Sequence, residues 1–283
     1  MTGLSVVLPC FDEAERLPHT FERYLAHFPA DPAAIEFLVV DDGSTDDTFA
    51  VAEQIAARDR RVRVLRVVPN HGKGFAVRTG VLAAKGDRVV FTDADGSYGP
   101  DEVERVVLAL DRAPVAIGVR PAGAPREASK PTAGSTTGTG AEGGPDAQRR
   151  PGPALRRLAS RVFNQAMRRT LGLPFHDTQC GLKAFRREAA TDLFSRSRLD
   201  GFAFDAEILF LARRLGHEVA EVPVHATDHG GSKVRLTADA LRMLREVWSV
   251  RRAAARGAYD QPRDPGADAR LGQSPLREEE PRS

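Results

Sequence analysis

Three apolar runs near the start of the chain each end in acidic side chains. They are Leu4-Ser-Val-Val-Leu-Pro9-Cys-Phe-Asp-Glu13, Ile35-Glu-Phe-Leu-Val-Val-Asp41-Asp42-Gly43-Ser44 and Arg88-Val-Val-Phe-Thr-Asp93-Ala94-Asp95-Gly96. A fourth run, Val62 to Val68, leads into Asn70-His71-Gly72-Lys73-Gly74. Helical stretches separate these strands, at Glu13 to His27, Asp46 to Arg58, Gly74 to Ala84 and Asp101 to Asp111. Such alternation predicts βαβ units and therefore an α/β fold, with a mostly parallel central sheet flanked by helices.

In sheets of that kind, ligands bind in the crevice beyond the carboxyl ends of the strands. Acidic groups that follow successive strands should therefore meet in space. Asp93 and Asp95, one residue apart, suit a hard divalent cation such as Mg²⁺ or Mn²⁺ and, through it, a diphosphate. Asp95 follows its strand at the turn, where an acidic side chain could equally serve only as a helix cap. Lys73, on the glycine-flanked turn before the third helix, reads as a diphosphate or acceptor-phosphate contact or as a merely solvated lysine, with the free amides of the turn beside it.

The chain of 283 residues, 41% of them apolar, is long enough for one full α/β core. Its formal charge of +2 singles out no partner class, and no nucleic-acid partner is expected. Cys10 and Cys180 form no disulfide framework, which fits a reducing cytoplasm. No run reaches the ~18 apolar residues needed to cross a bilayer, and the start lacks a signal peptide's basic region and apolar core.

The second half carries His176-Asp177-Thr178-Gln179-Cys180-Gly181-Leu182-Lys183, Gly201-Phe-Ala-Phe-Asp205-Ala-Glu207, Glu221-Val-Pro-Val and Gly231-Ser232-Lys233-Val. In order and spacing, these motifs and the acidic turns before them resemble the family 2 glycosyltransferases of the GT-A fold. They are most similar to the polyprenyl- and dolichyl-phosphate glycosyltransferases, the DTQCG run standing nearest to the dolichyl-phosphate β-glucosyltransferases. The resemblance covers roughly residues 4 to 120 and 155 to 250.

It implies an inverting, metal-dependent transfer of a hexose, glucose from UDP-glucose, to a polyprenyl phosphate. Pro9, Glu13, Asp41, Asp42, Lys73, Asp93, Ala94 and Asp95 would hold the donor, with Asp93 and Asp95 on the metal and Asp95 the direct ligand. Arg120, Gln179, Ser232 and Lys233 would meet the acceptor phosphate. Asp177 counts among the catalytic residues. A phosphate monoester, however, has its second pKa near ~6 and is already ionised at neutral pH, so Asp177 would position groups and not act as a base. GDP-mannose as donor, or a soluble saccharide as acceptor, is the alternative. With a hydroxyl acceptor, Asp177 or the Asp205/Glu207 pair would become the base. A nucleotide-sugar-binding regulatory protein without turnover is the alternative from another class.

One catalytic domain is expected over 1–257, with a flexible low-complexity loop at 121–153 inside it and a disordered tail at 258–283. Two basic amphipathic helices are expected, Leu155 to Leu171 and Leu236 to Arg252, the second carrying Trp248. Either packs as an ordinary surface helix or meets an anionic membrane peripherally, on its cytoplasmic face. A membrane-protein partner is a further route to a lipid acceptor.

Overall fold

The computed structural model of the protein describes residues 3–121, 127–128, 165, 167–228 and 238–263. Strands β1 (Leu4–Cys10), β2 (Ile35–Asp42), β3 (Val62–Val67) and β4 (Arg88–Thr92) alternate with helices α1 (Leu17–His27), α2 (Thr48–Arg58) and α3 (Lys73–Ala83). Helix α4 (Pro100–Leu108), with a short 3-10 turn to Asp111, leads to β5 (Val115–Val119). After a two-residue strand β6 (Glu127–Ala128) come β7 (Leu182–Arg186), α5 (Arg187–Arg196), α6 (Phe204–Arg214), β8 (Val219–Pro223), β9 (Thr227–Asp228) and α7 (Ala238–Ala255).

Seven strands form one sheet in the order β3-β2-β1-β4-β7-β5-β8, and β6 pairs with β9 apart from it. The inner strands are apolar almost throughout because helices cover both faces. Val7, Leu38, Val40 and Phe91 face one core with Phe75, Val77, Phe194 and Phe204. Val6, Leu8, Val39 and Val90 face the other with Phe21, Tyr24, Val103 and Val106. Gly80 lets α3 lie close on the sheet, since a Cβ there would stand 2.9 Å from Val40 Cγ2.

One reversal decides where the chemistry gathers. β7 runs antiparallel to both β4 and β5, pairing Thr92 with Leu182 and Ile117 with Lys183. Its beginning therefore lies beside the ends of β4 and β5. The DTQCG segment, which feeds β7, is carried to the same crevice edge as Asp93, Asp95 and Arg120.

The first helix starts later than expected, at Leu17 with Pro18 in its first turn. The tail boundary at 258 is corrected: Tyr259 is buried in the core, and the chain stays packed to Arg263, because Tyr259 has a buried hydrogen-bond partner to reach. Residues 264–283, most of the 121–153 loop and most of the Leu155 to Leu171 helix lie outside the described residues, as do Ser232 and Lys233.

Candidate active site

The ends of β1 and β2 are knit into one wall. Asp12 N donates to Ser44 Oγ (3.0 Å), Glu13 N to Thr48 Oγ1 (2.6 Å) and Ala14 N to Asp46 Oδ2 (3.2 Å). Pro9, paired with Val40, ends the apolar part of β1. Glu13 holds Arg16 at 2.6 Å. Asp41 is fully buried: its Oδ1 accepts from Ser44 N, while Oδ2 carries no hydrogen bond and has Arg66 Nε 3.4 Å away. Such an acceptor costs free energy unless a ligand donor reaches it. Asp42 accepts from His71 N (3.0 Å) and Gly72 N (2.7 Å). Burial pushes its carboxyl up to about 6 although both amides and the His71 charge pull it down.

At the end of β4, Lys73 Nζ donates to Asp93 Oδ1 at 2.5 Å. Burial works against the Lys73 ammonium, but the carboxylates of Asp93, Asp205 and Asp95 outweigh it and hold its pKa above the ordinary lysine value. Asp95 Oδ1 accepts from Ser97 N at 2.9 Å, and Ala94 O is held by Thr20 Oγ1 at 2.8 Å. Gly181 makes the junction with the DTQCG turn: a Cβ there would stand 2.7 Å from Asp93 Cγ, so a larger residue would displace this carboxylate.

Across from the carboxylates, Arg120 forks onto Asp177 with Nε to Oδ2 at 2.7 Å and Nη2 to Oδ1 at 3.0 Å. Asp177 Oδ1 also accepts from Gln179 N at 3.2 Å. Burial raises the Asp177 carboxyl, but Arg120 and then Lys183 more than offset it, and its pKa lies below the usual carboxylate value. A carboxylate so held is a poor base and a good brace. The buried side-chain amide Nε2 of Gln179 has no hydrogen-bond partner among the described residues.

The expected free amides beside Lys73 are not found, which corrects the phosphate-loop reading. His71 N and Gly72 N are taken by Asp42, and Gly74 N and Phe75 N donate to Asp200 O at 2.7 and 3.2 Å. The glycines serve packing instead. A Cβ on Gly72 would stand 2.6 Å from Asp200 O, and one on Gly74 2.6 Å from Leu199 O, so the two glycines admit the 199–201 turn.

The alternative base pair is also corrected. Asp205 is buried against Lys183, and Glu207 is buried with its oxygens taken by Arg198 N, Leu199 N and Tyr259 OH. Lys183 itself was not anticipated. Fully buried, it bonds Cys180 O at 2.6 Å and Asp205, fixing the DTQCG turn to α6. A lysine flanked by Leu182, Ala184 and Phe185, six residues after Asp177, was the available signal.

A cation held by these residues would draw on two carboxylates; among the described residues no set of three or more His, Cys, Asp or Glu is placed to bind a metal. That donor set fits an ion such as Mg²⁺, which keeps waters and takes substrate phosphates in addition to one or two carboxylates.

An α/β sheet of this order, with a carboxylate pair at the end of β4 and a reversed strand that brings the DTQCG turn beside it, has the GT-A architecture. The glycosyl transferase family 2 model matches residues 5–194, and the chain belongs to that family. It is 32% identical over 270 residues to the human dolichyl-phosphate β-glucosyltransferase, covering 90% of this chain and 77% of that protein. The Drosophila melanogaster dolichyl-phosphate β-glucosyltransferase is 32% identical over 266 residues, with 87% and 74% covered. Among solved structures, mannosyl-3-phosphoglycerate synthase from Rubrobacter xylanophilus superposes with a TM-score of 0.62 at 20% identity, over 96% of this chain and 80% of that one. Glucosyl-3-phosphoglycerate synthase from Mycobacterium tuberculosis, solved with Mn²⁺, UDP-glucose and phosphoglyceric acid, gives 0.60 at 22% identity over 88% and 79%. Both share the fold.

Proposed function

We propose that this glycosyltransferase moves glucose from UDP-glucose to a polyprenyl phosphate with inversion at C1, giving a β-linked lipid phosphate sugar. The observation that carries the acceptor is the Arg120–Asp177 fork: the carboxylate facing the acceptor side is engaged by a guanidinium, so the nucleophile must arrive already ionised. A phosphate monoester does so at neutral pH. The names of the relatives support glucose and dolichyl phosphate.

Asp41 Oδ2 takes a donor from the nucleoside, and Glu13, Asp42 and Pro9 complete that wall. Asp95, with Asp93 and the Ala94 backbone beside it, would hold Mg²⁺ or Mn²⁺. The bound ion supplies charge stabilisation to the leaving diphosphate. Lys73 adds a second positive charge and orients Asp93. Arg120, Gln179 Nε2, Ser232 and Lys233 gather the acceptor phosphate and offset its repulsion from the donor. The acceptor oxygen then attacks C1 from the face opposite the leaving group, and Asp177 keeps the Arg120 fork aimed.

No helix among the described residues is long and apolar enough to cross a membrane. Helix α7 offers a surface contact with anionic lipid: Trp248 is 62% exposed, and Arg245, Arg251 and Arg252 are exposed on the same helix. Co-sedimentation with phosphatidylserine vesicles at low salt, lost at high salt, is the expected result. Donor and acceptor are tested together by offering UDP-glucose or GDP-mannose, Mg²⁺ or Mn²⁺, and either polyprenyl phosphate or a soluble saccharide. A glucosylated lipid phosphate is expected, and a glycosylated saccharide alone contradicts the reading.

A further inference from the structure

Behind Lys73 lies a hydrogen-bonded chain that ends far along the sequence. The segment after α7 folds back onto the end of α5: Arg263 N donates to Ser195 O at 2.7 Å, and Arg196 Nη1 to Tyr259 O and Asp260 O at 3.1 and 2.8 Å. This seats Tyr259 in the core, where its hydroxyl donates to Glu207 Oε1 at 2.6 Å. Glu207, fully buried, accepts Arg198 N at 2.9 Å and Leu199 N at 2.9 Å, which fixes the start of the 198–201 turn. The same turn presents Asp200 O to Gly74 N and Phe75 N, and Asp200 Oδ1 to Arg78 Nη2 at 2.6 Å. Every oxygen of Glu207 is thus spent on one task, holding the turn that caps α3. Lys73 is the first residue of that helix.

We infer that Tyr259 and Glu207 are positioning residues for the donor site: through the 198–201 turn they set where α3 begins, and so where Lys73 meets Asp93 and the donor diphosphate. Glu207 and Tyr259 lie beyond the residues matched by the family model, which end at 194. Two details favour positioning over general stability. The turn docks into the notch made by Gly72 and Gly74, the residues on either side of Lys73. Its hydrogen bonds to α3 all come from Asp200, through its backbone carbonyl and its carboxylate, groups that transmit position along hydrogen bonds. The role for the donor rests on Lys73 being a diphosphate contact, as proposed above.

The test uses the full chain and Tyr259→Phe, which removes one hydroxyl and keeps the buried ring. Amide exchange followed by NMR should speed up about tenfold at Gly74 and Phe75, in line with loss of one net hydrogen bond, while Val6 and Val7 in β1 keep their protection. Equal acceleration at all four amides, or none, overturns the inference, because a purely stabilising role would act on the whole core alike. This readout needs no ligand and stands apart from the functional reading. Calorimetric titration with UDP and Mn²⁺ then asks about the donor. Lys73→Ala and Tyr259→Phe should each weaken UDP binding, and the double variant should be no weaker than Lys73→Ala alone. Unchanged affinity in Lys73→Ala contradicts Lys73 as a donor contact. Weakening by Lys73→Ala with additive effects in the double variant contradicts the link from Tyr259.

Discussion

Arg120 and Asp177 are joined by two parallel hydrogen bonds, Nε to Oδ2 at 2.7 Å and Nη2 to Oδ1 at 3.0 Å. One residue follows β5, the other precedes the reversed strand β7, and the pair binds those two elements at the crevice. Only the planar guanidinium fork can make both bonds at once. Arg120→Lys should therefore raise the KM for the lipid phosphate about tenfold or more. Asp177→Asn should retain several per cent of wild-type kcat, since it weakens a brace and removes no base. Steady-state kinetics with varied acceptor check both.

Asp95→Asn should cost kcat at least ~10²-fold, the usual scale for losing a preorganised charge-stabilising group. Thermal unfolding of the variant should match the wild type, because Asp95 is half-buried and its described hydrogen bond is to a neighbouring turn. EDTA should abolish turnover, and Mn²⁺ should restore it. Full activity in EDTA contradicts the metal role.

Gly181→Ala should disable the site without removing any polar group. The new methyl would stand 2.7 Å from Asp93 Cγ and push that carboxylate off Lys73. A fall in kcat of about tenfold to a hundredfold, with weaker Mn²⁺ dependence, is expected from so small a displacement. Metal titration of activity in the variant measures it.

The sheet and its acidic turns were legible because they are local: apolar runs, then carboxylates, repeated after successive strands. The meeting of Asp93 with Gly181 was not, since it depends on β7 running against its neighbours, a pairing set by partners far away in sequence. Lys183 is one of two cations in β7, and its full burial follows from its pairing with Asp205 on helix α6. Gly72 and Gly74 carried a real signal that admitted two readings. A lysine between glycines suits a phosphate loop, whereas here the missing side chains make room for the 199–201 turn. Tyr259 stood in a stretch rich in charge, proline and glycine, where one aromatic residue gives no periodicity to read.

The pH dependence separates two groups that titrate together. Burial raises Asp42 from 3.8 to about 6, so folding favours its protonated form. The stability it contributes is complete below pH 3.8 and is lost as pH rises through 6. The stability difference between wild type and Asp42→Asn should accordingly shift toward the variant from pH 4 to pH 8 in denaturant titrations. The rate should fall as pH drops through ~6 in both proteins, because the acceptor phosphate is protonated there. Loss of that fall in Asp42→Asn would assign it to Asp42.

The proposed acceptor brings its own charge. The most direct test of this offers the enzyme, UDP-glucose and Mn²⁺ either a polyprenyl phosphate or the corresponding polyprenol, and measures initial rates of glucosyl transfer at pH 7.5. A β-linked product from the phosphate is expected, with a rate for the alcohol lower by at least ~10³-fold, since that acceptor lacks both the ionised oxygen and a base to make one. Comparable rates with the two acceptors, abolished by Asp177→Asn, would contradict this and make Asp177 the base.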